Sequence, residues 1–448
     1  MRRSIGRCAS PLCLDSGAMD AAHNPATTGL VLTGGGARAA YQVGVLKAIA
    51  RIRREVGAPR HNPFGVIAGT SAGAINAAAI ACHADRFDLA VAGIVHTWRH
   101  FSADQVYRAD AFGVVRSGAR WLTMLTMGWA IARWRKAKPR SLLDNSPLAE
   151  LLQRVVPFQR LPEMLSGGHL QALAITGSSY SSGDHVTFCQ TRRPFEPWLR
   201  SQRIAVRSRI GHAHLMASSA IPFVFPAVKV EMHGADEWFG DGSMRQSAPV
   251  SPAVHLGAER ILVVGAGRMH EPPRQRHGAD AEDAEYPSLA RIAGHTLSNI
   301  FLDALAVDIE RAQRINRTLA LLDAQSLARS KLRPLELLVI APSQRLDSIA
   351  ARHLHSLPTA VRTLLRGVGV DSEQGHAKGG AALASYLLFE APYTRELIEL
   401  GTADTLARRD EVIAFFGWPR HTLPRESRDP WPVTQAGELA CPTDLMPL

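Results

Sequence analysis

With 448 residues, 46% of them hydrophobic and 20% charged, the chain has the balance of an ordinary globular protein, which excludes collagen-like, coiled-coil and wholly disordered architectures. Lysine and arginine (51) outnumber aspartate and glutamate (40), a net charge of +11 that favours an anionic membrane surface as partner; no aromatic-interleaved basic run or zinc-finger signature points to nucleic acid. The five cysteines, Cys8, Cys13, Cys82, Cys189 and Cys441, are scattered without metal-ligand spacing, so they read as free thiols in a reducing compartment and call for no metal.

Residues 1–27 lack periodicity and are expected to form a disordered leader. Arg2-Arg3 is followed by Arg7, Pro11 and Asp15 rather than an apolar run, so no export signal is read and a cytoplasmic or peripheral location is expected. Gly29–Thr33 is a short apolar strand, and Tyr41–Ile49 has helical character. Between them lies Gly34-Gly35-Gly36-Ala37-Arg38-Ala39-Ala40, a glycine loop whose N–H groups and following helix dipole make an anion cradle. A dinucleotide fingerprint needs a third glycine where Ala39 stands, and a Walker loop needs Gly-Lys-Ser/Thr. An oxyanion site is the better reading, and no cofactor is implied.

Val66–Asn76 is the most informative stretch. An apolar, strand-forming run ends in Gly69-Thr70-Ser71-Ala72-Gly73 and passes directly into small helix-tolerant residues, the context of a nucleophile elbow with a serine at its apex. Gly69 and Gly73 flank the serine because a tight turn leaves no room for side chains there.

Residues 86–98 form a further helical pattern. The apolar run Trp121–Ala132, bounded by Arg116 and Arg120 on one side and by Arg133, Arg135, Lys136, Lys138 and Arg140 on the other, is too short to span a bilayer and reads either as an interfacial anchor or as a core helix. A helix follows at Leu148–Arg154, then strands at Leu170–Thr176 and His185–Cys189. A helix is expected over Arg207–Ser218, leading into the proline-punctuated loop Ala217–Pro226, which either walls an acyl pocket or lines the core.

Glu237–Ser243 reads as a short strand ending in Asp241 on a glycine turn with Gly242. Beyond it come a buried strand at Arg260–Gly265, a polar loop over 270–286, a long helix over Leu289–Leu322, a strand at Leu335–Ala341, mostly helical residues over 344–410 and a proline-rich tail over 419–448. His255, His270 and His277 follow Asp241 and would allow a Ser-acid-His triad; two of them lie in the polar loop, which makes a serine-aspartate pair the preferred reading.

The glycine loop, the Ser71 elbow and the Asp241-Gly242 turn, in that order, together with Ala217–Pro226 and Asp241–Pro252, resemble the patatin-like phospholipase family over residues 28–265. The resemblance implies an α/β three-layer fold with a mainly parallel central sheet flanked by helices. A helical insertion at about 101–140 and a mostly helical C-terminal part over 266–418 would complete it. It further implies hydrolysis of phospholipid or lysophospholipid acyl esters, with Ser71 as nucleophile, Asp241 as base, Gly34, Gly35 and Gly36 as oxyanion hole, and Arg38 bracing the loop. The family usually has glycine where Ala39 stands, and glycine or alanine where Ser243 stands. The alternative is a catalytically inactive, membrane-associated scaffold on the same fold.

Overall fold

The computed structural model describes residues 27–108, 141–269, 289–330, 332–367 and 380–420. The expectations for 116–140 and 270–286, and for nearly all of 1–27 and 419–448, lie outside the described residues.

Among the described residues ten strands make one sheet: β1 (Thr28–Leu32), β2 (Val66–Thr70), β3 (Ala172–Ser179), β4 (His185–Thr191), β5 (Leu199–Arg200), β6 (Arg203–Arg207), β7 (Val228–Met232), β8 (Ala235–Asp241), β9 (Arg260–Val264) and β10 (Glu336–Ile340). The main path runs β10-β9-β1-β2-β3-β4-β6-β5. From β10 to β3 every neighbour is parallel, and direction reverses at β4. Alternate strand residues enter two separate cores: Leu30, Leu32, Ile67 and Ile175 pack on one side, Val31, Val66, Ala68 and Val263 on the other. Burial of both faces is why these strands read as unbroken apolar runs. The first core is covered by α1 (Ala40–Glu55), α2 (Ala72–Ala81) and α3 (Phe87–Arg99), the second by helices Ser251–His255 and Leu289–Leu319. The architecture is the three-layer α/β fold that the resemblance implies.

The helix expected over Arg207–Ser218 starts later, at His212. Arg207 instead closes β6, an unexpected strand over 203–207 whose Ile204 and Val206 pair in parallel with Val186 and Phe188 of β4. Here β-branched residues find a free strand edge, and pairing decides the conformation. Gly211 ends the extended stretch and its N–H donates to His214 Nδ1 (3.1 Å), opening the helix. β7 was not expected either; it forms a hairpin with β8 through His233 and Gly234, both at positive φ (53° and 81°), as a two-residue type I′ turn requires.

Residues beyond 266 share this sheet, because β10 extends it past β9. Helix Ala391–Ala407 crosses α1 at two facing glycines: a Cβ on Gly44 would strike the carbonyl of Ile398, and one on Gly401 the carbonyl of Tyr41. Around this crossing, Tyr41 Oη donates to Asp404 Oδ2 (3.0 Å) and Thr402 Oγ1 to the Gly44 carbonyl (3.3 Å). Gly401→Val should therefore lower stability by about 2–3 kcal/mol in thermal or denaturant unfolding, since the backbones must separate. Gly93→Ala, on the exposed face of α3 with open space around it, should be neutral or stabilise by up to about 1 kcal/mol.

Candidate active site

The site is assembled on one edge of β3. Along its other edge β4 occupies every rung from Ala172 to Ser178. The remaining edge is divided between two strands. β2 runs parallel up to the pair Thr70–Thr176, and β8 arrives antiparallel from the opposite end, its Asp241 facing Gly177. The end of β2 and the end of β8 thus meet at consecutive rungs. Ser71, the next residue after Thr70, donates its hydroxyl to Asp241 Oδ2 at 2.6 Å, and both side chains are buried.

The elbow is strained. Ser71 sits at φ 54°, ψ −131°, unusual for a residue with a side chain. Its N–H donates to Ser218 Oγ (2.8 Å) and its carbonyl accepts the Ala74 N–H (2.9 Å). α2 starts at Ala72, placing a helix N-terminus directly behind the hydroxyl. Gly69 lies against Ala74 and Ala77 of that helix. At Gly73 a side chain would collide with the carbonyls of Leu32 and Thr33, so the elbow packs directly on the chain entering the glycine loop.

Asp241 is fixed from three directions. Its N–H donates to the Ala220 carbonyl (3.0 Å), Oδ1 accepts the Ser243 N–H (2.8 Å), and Oδ2 accepts Ser71. Burial pushes its carboxyl up to about 6, while the hydrogen bonds from Ser71 and Ser243 hold it back. Gly242 packs against the backbone and hydroxyl of Thr176. On the opposite face of the sheet Gln246 Nε2 donates to Thr70 Oγ1 (2.7 Å), which is hydrogen-bonded to Thr176 Oγ1 (2.6 Å). This side-chain chain ties the turn after Asp241 to the residue before Ser71.

Among the described residues no histidine is hydrogen-bonded to Ser71 or Asp241. His255 stacks on Trp198 with ring centroids 4.7 Å apart; His270 and His277 lie outside the described residues.

The glycine loop is buried throughout. Gly35 opens a short 3₁₀ turn over Gly36–Ala39, and Gly36 takes φ 55°, where an L side chain is disfavoured. Ala39 has φ −65°, ψ −10°, ordinary helical values that alanine meets without strain, so its departure from glycine is accommodated. Arg38 is buried, with Nε donating to Ser385 Oγ (2.7 Å) and its guanidinium 4.1 Å from the Tyr386 ring centroid. Beneath the loop Gln42 Nε2 donates to the Thr33 carbonyl (2.7 Å). Asn76 Nδ2 donates to Gln42 Oε1 (3.1 Å) and the Ala39 carbonyl (3.3 Å), and Trp98 Nε1 donates to Asn76 Oδ1 (2.9 Å).

The structure therefore brings together the elbow, the Asp241 turn and the glycine loop. Sequence reasoning missed Gln42, Asn76, Ser218 and Gln246. For Gln42 and Asn76 a signal exists, a lone amide within an otherwise apolar helical run. For Ser218 and Gln246 there is none in the local pattern.

The comparisons with known proteins bear on the whole. No curated protein matches the sequence significantly. Solved structures similar to it include VipD from Legionella pneumophila, at 13% identity over 84% of this chain and 67% of that one with a TM-score of 0.28, and the type III effector protein ExoU, at 15% identity over 91% of each chain with a TM-score of 0.25. Scores this low carry no argument. The model of the patatin-like phospholipase family matches residues 30–254, half of the chain, and spans the glycine loop, the elbow and the Asp241 turn. On that match the chain belongs to the patatin-like phospholipase family, a family of lipid acyl-ester hydrolases.

Proposed function

We propose that Ser71 and Asp241 are a catalytic dyad that hydrolyses acyl esters of phospholipids or lysophospholipids. The 2.6 Å hydrogen bond between the two buried side chains carries this reading. Ser71 Oγ attacks the ester carbonyl while Asp241 Oδ2 accepts its proton, and the carbonyl oxygen becomes an oxyanion met by N–H groups of Gly34, Gly35 and Gly36. As the tetrahedral intermediate collapses, Asp241 returns the proton to the departing alkoxide and an acyl-serine remains. Water, deprotonated by the same carboxylate, then attacks the acyl carbon; the bond from Ser71 Oγ to the acyl carbon breaks, Asp241 returns the proton to Oγ, and the fatty acid is released. A carboxylate near its ordinary value is a feeble base; burial raises Asp241 toward the range in which it can serve.

Gly69, Gly73 and Gly242 have supporting roles, permitting the close backbone approaches that bring Ser71, Asp241 and the loop together. Arg38 braces the loop. The net charge of +11 supports peripheral association with an anionic membrane surface, and no helix among the described residues is long and apolar enough to cross a bilayer.

Ser71→Ala and Asp241→Asn should each lower ester hydrolysis by about a thousandfold or more. Ser71→Ala should also abolish covalent labelling by a fluorophosphonate, whereas full activity in either variant would refute the dyad. The reaction needs ionised Asp241, so kcat/KM should rise with pH and level off above an apparent pKa near 6. Stability should show the opposite trend. A carboxyl at about 6 in the folded state against 3.8 unfolded destabilises the fold once ionised. Asp241→Asn should consequently be more stable than the natural protein at pH 8, by up to about 3 kcal/mol, with the advantage fading between about pH 6 and pH 4 in thermal unfolding.

A further inference from the structure

The glycine loop touches the substrate side with its N–H groups in the reading above, yet much of what holds it comes from far along the chain. Gly36, at φ 55°, lies so close to helix Gly380–Leu387 that a Cβ would run into the Tyr386 carbonyl. Two residues on, Arg38 reaches into the same helix. Its Nε donates to Ser385 Oγ (2.7 Å), one terminal nitrogen donates to the Ala382 carbonyl (3.4 Å), and the guanidinium lies over the Tyr386 ring. Ser385 Oγ in turn donates to the Ala382 carbonyl (2.6 Å), fixing its orientation as acceptor for Arg38. These are the side-chain hydrogen bonds of Arg38 among the described residues; no carboxylate there forms an ion pair with it, and Asp347 lies within reach of its charge. The cation is committed to the helix.

The helix itself is anchored to the network beneath the loop. The Leu387 carbonyl accepts the Tyr107 hydroxyl (3.0 Å), and Phe389 packs against Trp98 and Phe101, with ring centroids 6.4 and 5.7 Å away. Trp98 is the residue that orients Asn76, and through it Gln42 and the Thr33 carbonyl. The loop is thus gripped from below by Gln42 and Asn76 and from outside by Ser385 and Tyr386, and the two grips meet at Trp98.

Resting on the dyad reading, we propose that helix Gly380–Leu387 is a positioning element for acyl transfer, in which Ser385 and Tyr386 act through Arg38 and Gly36 to set the direction of the Gly34–Gly36 N–H groups. This helix lies outside residues 30–254, so the oxyanion site is incomplete without a segment that the family match does not contain.

The test compares the full-length natural protein with Ser385→Ala, Tyr386→Leu and Tyr386→Phe. A short-chain p-nitrophenyl ester reports kcat and KM, fluorophosphonate labelling reports acylation chemistry at Ser71, and thermal unfolding reports folding. Ser385→Ala and Tyr386→Leu should lower kcat and the labelling rate by about ten- to a hundredfold, with KM within about twofold of the natural value. Tyr386→Phe keeps the ring over Arg38 and should restore natural kcat. Folded Ser385→Ala with unchanged kcat and labelling would overturn the proposal, as would a loss confined to KM or an equal loss in Tyr386→Phe. Ser385→Ala removes one hydroxyl and decides the matter if Tyr386→Leu does not fold. A natural protein inert to the fluorophosphonate would instead refute the dyad on which the proposal rests.

Discussion

Two strands share one edge of β3, and the site depends on where they meet. β2 delivers Ser71 from one direction and β8 delivers Asp241 from the other, at rungs Thr176 and Gly177. Residues 170 positions apart come within a hydrogen bond because both are indexed to the same strand. A one-residue slip of either strand would turn its side chains to the opposite face. Register here is held by more than backbone bonds: the Thr70–Thr176 hydroxyl pair and Gln246 fasten the two strand ends together on the face away from the dyad. The geometry of the Ser71–Asp241 pair is thus a consequence of sheet register, with the threonines acting as its pin.

The same meeting point decides the electrostatics. Asp241 is buried, and among the described residues no lysine, arginine or histidine pairs with it. A cation alongside would have held the carboxyl low and made it a poorer base, whereas burial alone raises it. The fold accepts an unfavourable buried charge and compensates with hydrogen bonds to both carboxylate oxygens, from the Ser71 hydroxyl and the Ser243 N–H. Ser71 adds backbone strain at the same place. Strain and buried charge at one site are what pre-organised chemistry produces.

How much of this was readable from the chain varies with the range of the interaction. The elbow is local: Gly69 and Gly73 are required by contacts a few residues away or at the neighbouring loop, so the spacing exposes them. Asp241 is legible only as a member of a set, since an Asp-Gly turn has no distinguishing pattern of its own. The strand Arg203–Arg207 carries no local signal, because the edge offered by β4 cannot be seen from the run Arg-Ile-Ala-Val-Arg. Arg38 was legible as a basic residue on a glycine loop, but its partner Ser385 is 347 positions away and no local spacing encodes it. Gln42 and Asn76 show how buried amides escape notice: in sequence each interrupts an apolar run, and only the fold reveals that they bond to one another.

The crossing of α1 with helix Ala391–Ala407 at Gly44 and Gly401 bears on the order in which the protein becomes complete. α1 carries the glycine loop at its N-terminal end, and the helix that grips that loop immediately precedes the one that crosses α1. A chain growing from its N-terminus holds Ser71 and Asp241 long before residues 380–407 exist. The serine and carboxylate come first and the helix that packs on the loop comes last, so a nascent or C-terminally clipped chain would carry Ser71 and Asp241 without the contacts of Ser385 and Tyr386 to Arg38 and Gly36.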